Sequence, residues 1–303
     1  MEDVISVSQL RKNYGDFTAL GGISFSVKKG EVLALLGPNG AGKTTTVEIL
    51  EGFRAKSSGE VSILGMDPQC GGRKFKNRIG IVLQECSIDP FLKVHEVLDQ
   101  RATFYHDAIA SAELLALTGL EDKQYEKVKK LSGGQQRRLD LALALVGNPE
   151  IIFLDEPTTG FDPSARHESW QIIRKLCSQG RTVLLTTHYM DEAQSLADNV
   201  VIIAKGEIVA SGTPETLGGR DSAATIITFS VPLGLDIQVA GIECTSEDRD
   251  SSKLVTIETL DTVETLYKLS SWMLENKIQP GNLEVSQPTL EDIYLKITSE
   301  DNV

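Results

Sequence analysis

Gly37-Pro38-Asn39-Gly40-Ala41-Gly42-Lys43-Thr44 is the stretch that decides the fold. It satisfies G-x-x-x-x-G-K-[ST], follows an apolar run at 32–36 that reads as a buried strand, and opens a segment of helical character. Glycine is required where main-chain N–H groups must turn inward around an anion, and the N-terminus of the following helix adds the positive end of its dipole. Lys43 then neutralises the outer phosphates. The Thr44 hydroxyl suits magnesium, a cation that accepts few protein ligands and keeps water and phosphate oxygens around it. The stretch predicts a nucleoside-triphosphate site at a strand-to-helix turn.

Working outward, short runs rich in Val, Ile and Leu at 79–83, 151–154, 182–186 and 199–204 read as buried strands. Longer helix-period stretches separate them. Residues 94–120 hold two helices, and 133–146 a third with Leu139, Leu143 and Val146 on one face. Such alternation predicts an α/β domain with a mostly parallel sheet. At Gly218-Gly219-Arg220-Asp221 the chain turns small and polar, and strand-like runs at 225–229 and 254–257 precede helical patterns at 262–274 and 288–297. The expected organisation is therefore a nucleotide-binding domain at 1–217, with a helical part around 85–150, and a small α/β accessory domain at 218–303.

The apolar strand at 151–154 ends in Asp155-Glu156. Neighbouring side chains at a strand tip point to opposite faces, so one carboxylate can serve the magnesium shell while the other activates water. Asp155 is assigned to the metal and Glu156 to the water. Leu131-Ser132-Gly133-Gly134-Gln135 opens the helix at 133–146. Ser132 stands near its N-cap and the glycines leave backbone donors open, which predicts a second phosphate-binding helix start.

These three stretches, in this order, resemble an ATP-binding-cassette ATPase, and the likeness runs from Val4 to about Leu217. The resemblance implies a P-loop NTPase cassette: a mostly parallel core sheet, an antiparallel β subdomain and a helical subdomain. By likeness, Tyr14 stacks on adenine, Thr45 lies beside the α-phosphate, and Gln84 ligates magnesium and senses the γ-phosphate. His188 matches the switch histidine, and Gly160-Phe161-Asp162 the loop that touches a partner subunit, with Phe161 where leucine is commoner. The family further implies a head-to-tail dimer with itself or a homologous ATPase, in which Ser132 to Gln135 of one copy close over ATP held by the other. It also implies a membrane permease partner, received around residues 85–93, and hence a place at the cytoplasmic face of the membrane. The stretches Pro288-Thr289-Leu290-Glu291-Asp292-Ile293-Tyr294-Leu295 and Thr187-His188-Tyr189-Met190-Asp191-Glu192-Ala193 resemble the drug-exporter branch, the daunorubicin-resistance-like ATPases.

Composition narrows the field. A formal charge of −13 repels phosphate backbones, so no nucleic-acid partner is expected. A soluble cassette acting on nucleic acid or ribosomes would also need a second cassette or a long coiled-coil insertion, and no heptad run is present. A catalytically silent scaffold is opposed by the intact Glu156, Gln84 and His188. Cys70, Cys86, Cys177 and Cys244 are scattered, without metal-ligand spacing, and read as reduced packing thiols. No window of about 20 apolar residues could span a bilayer, so transport needs another chain.

Overall fold

The computed structural model describes residues 2–82, 88–233, 242–249 and 252–300. The chain divides into two compact units, 1–214 and 215–303. That division falls slightly ahead of the 217/218 boundary read from composition.

The first unit opens with β1 (Asp3–Tyr14), β2 (Phe17–Lys28), β3 (Val32–Leu36), α1 (Lys43–Leu50), β4 (Ser58–Ile63), α2 (Gly72–Lys76) and β5 (Ile79–Val82). A helical stretch follows: α3 (Val94–Ala102), α4 (Ser111–Thr118) and α5 (Gly133–Leu145). The unit continues through β6 (Ile151–Asp155), α6 (Pro163–Ser178), β7 (Thr182–Thr186), α7 (Met190–Leu196), β8 (Asn199–Ala204) and β9 (Glu207–Gly212).

Among the described residues, a six-stranded sheet runs in the order β5-β6-β7-β3-β8-β9. Its strands are parallel except for β9. Every residue of β3 and β7 is buried, the outcome expected of parallel strands covered on both faces, and the reason these segments are apolar without alternation. A separate antiparallel sheet, β2-β1-β4, alternates instead: Ile5, Val7 and Leu10 of β1 are buried and Ser6 and Ser8 exposed. The register of β1 against β2 shifts between Val7 and Leu10, where Gln9 has φ of 47°, so the two-residue period breaks there. Ile5, Leu10 and Ile23 of this sheet join Leu33, Leu35 and Phe153 of the parallel sheet and Ile49 and Leu50 of α1 in one core. At about 1.5–3 kcal/mol for each large apolar side chain buried, that core fixes both flanks of the glycine-rich loop.

Helix α5 buries Leu139, Leu141, Ala142 and Leu145, followed by Val146. Leu143, expected on the same face, is half-buried and lines an open groove.

The second unit contains β10 (Thr225–Pro232), β11 (Thr245–Arg249), β12 (Ser252–Thr259), α8 (Thr262–Glu275), β13 (Gly281–Ser286) and α9 (Leu290–Glu300). Its strands form an antiparallel sheet, β11-β12-β10-β13. Alternate residues Ile227, Phe229 and Val231 of β10 pack with Val255 and Ile257 of β12 and with Leu269 and Met273 of α8. Asp261 starts α8 by accepting the Glu264 N–H at 3.0 Å. Among the described residues no helix is long and apolar enough to cross a membrane.

Candidate functional site

The site lies where parallel strands end. β6, β7 and β3 are consecutive neighbours in the sheet, so the loops that follow them emerge side by side at its carboxyl edge, the usual place for a ligand in open α/β sheets. The loop after β3 carries residues 37–42. At Gly37 a Cβ would lie 2.2 Å from the Ile203 carbonyl oxygen. At Gly42, with φ of 109°, it would lie 2.7 Å from Leu20 Cδ2 and 2.9 Å from the Ala19 carbonyl oxygen. Only glycine fits at either position. Pro38, Asn39 and Gly40 between them are exposed, whereas Ala41 is buried and anchors the turn by donating its N–H to the Pro38 carbonyl at 3.2 Å. No side chain caps the start of α1, so its first N–H groups remain open to an anion.

Lys43 is buried in this loop, and its Nζ donates to the Gly37 carbonyl at 2.7 Å and the Pro38 carbonyl at 3.0 Å. Burial lowers the pKa of its ammonium, while the charges of Glu156 and Asp155 act to raise it. The two carboxylates assigned from sequence are therefore close enough for their charge to act on this cation. Thr44 is exposed and Thr45 half-buried at the start of α1. Lys43→Ala is expected to weaken ATP binding on the order of 100-fold, because a charge-assisted contact to phosphate is lost from a partly desolvated loop. Titration with a fluorescent ATP analogue checks this, and an unchanged affinity would remove Lys43 from the phosphate site.

Asp155 ends β6, and its Oδ1 accepts the Thr186 hydroxyl of β7. Glu156 follows with φ of 47°, an uncommon backbone for a non-glycine residue. Its N–H donates to the Thr186 hydroxyl at 3.1 Å. Its Oε2 accepts the Thr159 hydroxyl at 3.0 Å, and its Oε1 stands 3.5 Å from Nδ1 of His188, in the loop after β7. The structure thus brings Lys43, Asp155, Glu156 and His188 together. Gln84 lies outside the described residues.

Ser132 is the N-cap of α5 and forms a capping box with Gln135: the Gln135 N–H reaches the Ser132 hydroxyl at 3.3 Å, and the Ser132 N–H reaches Gln135 Oε1 at 3.0 Å. Gly133 is exposed at the same helix start. Asp162 caps α6 by accepting the Ala165 N–H at 3.0 Å, with Pro163 opening the helix. Ser132, Gly134, Gln135, Asp162, Arg138 and Glu168 share a shallow depression of about 160 Å³. No residue of the 37–45 loop lines it. The second helix start therefore belongs to a different face from the first within one chain. Tyr14, at the end of β1, is 39% exposed, with Lys12 Nζ 5.0 Å and Arg54 Cζ 5.3 Å from its ring centre.

Sequence reasoning did not single out three groups. Arg137, on the helix that begins at Gly133, donates to the Asp155 carbonyl at 2.8 Å and to the Glu156 and Pro157 carbonyls at 3.3 Å, so α5 grips the strand tip that carries the acids. Glu192, four residues past His188, is fully buried. Glu51, at the end of α1, is 3% exposed, and burial, reinforced by the charges of Asp155 and Glu48, pushes its carboxyl up to about 8. The first of these had a visible signal, an arginine two places past Gln135 on an amphipathic helix. The other two look like surface acids until their surroundings are known. Among the cysteines, Cys70 is exposed rather than packed, while burial pushes the Cys177 thiol up to about 12.

A groove of about 950 Å³ lies elsewhere on the first unit, bounded by Phe53, Ile88, Leu92, Arg101, Phe104 and Leu143.

The family model described as ABC transporter matches residues 20–159. A Nod factor export ATP-binding protein I from Burkholderia orbicola is 37% identical over 98% of this chain and 97% of its own length. Daunorubicin resistance ATP-binding protein DrrA3 from Streptomyces coeruleorubidus is 34% identical over 99% of this chain and 97% of its own. Among solved structures, an ATP-binding cassette of an ABC transporter in its ADP conformation superposes with a TM-score of 0.64 at 26% identity, covering 71% of this chain and 92% of that one. A dimeric cassette in a post-hydrolysis state bound to ADP and Pi gives 0.62 at 28% identity, covering 69% and 98%.

Proposed function

The chain belongs to the ABC transporter ATPase family as an ATP-hydrolysing subunit of the exporter type, and from that premise we propose how its residues divide the work. The observation that carries the reading is the loop that only glycine fits at Gly37 and Gly42, with buried Lys43 inside it, at the sheet edge where Glu156 stands 3.5 Å from His188. ATP lies with its outer phosphates against the N–H groups of residues 40–45 and the Lys43 ammonium, and with its adenine on Tyr14. The exposed Thr44 hydroxyl and Asp155, with Gln84, suit a magnesium ion, whose bound form supplies positive charge to the phosphate oxygens. Glu156 accepts a proton from the attacking water in line with the γ-phosphate, and His188 fixes the orientation of that carboxylate.

The face formed by Ser132, Gly134, Gln135 and Asp162 closes over the nucleotide of a second copy or a homologous ATPase, arranged head to tail. Two observations support this: the helix start on this face exposes Gly133, and the face stands apart from the 37–45 loop of its own chain. A dimeric cassette superposes on this fold, which supports pairing with a second copy.

A membrane permease subunit docks in the groove beside Ile88 and Leu92, which holds the protein at the cytoplasmic face of the membrane. Phe104, 72% exposed at its edge, is the kind of aromatic anchor that a docking helix would cover. Relatives of comparable identity are named for Nod factor export and for daunorubicin resistance, so cargo choice is assigned to the permease. Affinity capture from detergent-solubilised membranes tests the reading. The wild-type chain is expected to retain a multi-span partner and Phe104→Asp to lose most of it, with ATP binding unchanged in both. Capture of no membrane protein by the wild type would sink the permease assignment.

A further inference from the structure

We propose that Glu192 is a positioning residue that locks the loop carrying His188 to the loop carrying Glu156, so that one buried carboxyl sets the spacing of both groups. The inference rests on the roles given above to Glu156 and His188.

Glu192 lies in the first turn of α7, four residues past His188, with no exposed surface. Its Oε1 accepts the Thr158 hydroxyl at 2.8 Å and the Trp170 indole N–H at 3.0 Å. Thr158 is itself fully buried and stands two residues past Glu156, while Trp170 belongs to α6, the helix that the Glu156 loop leads into. A single oxygen therefore ties the segment after β7 to the segment after β6 and to the helix that continues it. Thr187, next to His188, is also buried, acts on the same carboxyl, and holds the turn by accepting the Tyr189 N–H at 3.0 Å.

An outer fastening runs parallel to the inner one. Arg166 of α6 pairs with Asp191 at 2.9 Å, and its guanidinium lies 4.2 Å from the centre of the Tyr189 ring. Tyr189, next to His188, and the start of α7 are thus held from α6, once in the core through Glu192 and once at the surface through Arg166.

The inner fastening is the costly one. Glu192 Oε2 is buried without a hydrogen-bond partner, a condition that an apolar residue of equal volume would avoid. Burial pushes this carboxyl above the ordinary carboxylate range, against the opposing effect of Thr187, Thr158, Trp170 and the Arg166 charge. Its other oxygen is fully engaged with Thr158 and Trp170. That oxygen spans the two loops whose side chains, Glu156 Oε1 and His188 Nδ1, stand 3.5 Å apart. Small displacements at a reacting centre are expensive: a shift of about 1 Å can cost on the order of 100-fold in rate.

The test measures ATP turnover and ATP affinity of the full chain carrying Glu192→Leu, Glu192→Gln or Thr158→Val. Glu192→Leu fills the site but breaks the tie, and is expected to lower kcat about tenfold or more while KM changes less than about twofold. Glu192→Gln keeps an oxygen acceptor for Thr158 and Trp170 and is expected to recover most of that loss. Thr158→Val removes one hydrogen bond at nearly constant volume and is expected to reduce kcat a few-fold while lowering the melting temperature by only a few degrees, so the idea stays testable even if Glu192→Leu folds poorly. Turnover within about twofold of wild type in both Glu192→Leu and Thr158→Val would overturn the proposal, as would a loss that Glu192→Gln does not recover. Parallel assays of Glu156→Gln and His188→Ala separate the two layers: if these retain turnover, the catalytic reading has failed rather than the tie.

Discussion

Glu156→Gln is expected to abolish ATP turnover while leaving ATP binding intact. The amide has nearly the shape of the carboxylate and still offers an oxygen to the Thr159 hydroxyl, which the native Oε2 accepts at 3.0 Å. The unusual backbone at this position, φ of 47°, is also unaffected by the change. What disappears is the capacity to take a proton from water, an effect on the order of 100-fold to 10,000-fold for a positioned general base. Loss of the negative charge also removes one of the two carboxylates that favour the protonated form of Lys43. Asp155 still acts to raise the pKa of that ammonium, and Nζ keeps its contacts to the Gly37 and Pro38 carbonyls, so phosphate binding is expected to survive. A phosphate-release assay reports turnover, and size-exclusion chromatography with ATP and magnesium reports the trapped state. The expected profile is a silent enzyme that accumulates as a dimer. Residual turnover above about a tenth of wild type would mean that another group activates the water. A silent enzyme that stayed monomeric with ATP would sink the head-to-tail closure instead.

How much of this site could be read in advance depended on whether the chemistry was local in the chain. Residues 37–44 were legible because a phosphate loop needs its glycines, lysine and threonine at fixed offsets, and the observed clashes at Gly37 and Gly42 supply the physical reason. Asp155-Glu156 and Ser132 were legible in the same way, one as a strand tip and the other as a helix cap. The strands β3 and β7 announced themselves because both faces are covered and the run is apolar throughout. β1 and β2 did not, because the irregular register near Gln9 interrupts the alternation by which a half-buried strand is known. β13 was invisible for the opposite reason: as an edge strand with nearly every residue exposed, it has no buried face to impose a pattern. Leu143 shows the limit of helix-face reasoning, since an apolar residue at core spacing was placed in an open groove by the arrangement of neighbouring elements. Arg137, Glu192 and Glu51 act through residues far away in the chain, and no local spacing encodes such contacts.

Glu51→Gln is expected to remove a large alkaline loss of stability. Glu51 closes α1 with its side chain 3% exposed, and a carboxylate there would meet both a low-dielectric surround and the negative end of the helix dipole. Burial is the main reason its carboxyl is pushed up to about 8, with the charges of Asp155 and Glu48 acting in the same direction. The unfolded chain releases this proton near 4.5. Between those two values the folded state holds a proton that the unfolded state has given up, so stability falls as pH rises across the window and the loss is complete above about 8. The corresponding free energy is on the order of 3–5 kcal/mol, a large share of the stability of a typical domain. Glutamine is neutral at every pH and removes this slope. Urea denaturation at pH 5 and pH 8.5 therefore distinguishes the two chains: similar midpoints in the acidic sample, and a higher midpoint for the variant in the alkaline one. Midpoints that moved in parallel across both conditions would mean that Glu51 is already ionised in the folded chain at pH 5. A buried carboxylate would then sit beside Asp155 at the end of α1, and some positive group would have to compensate it there.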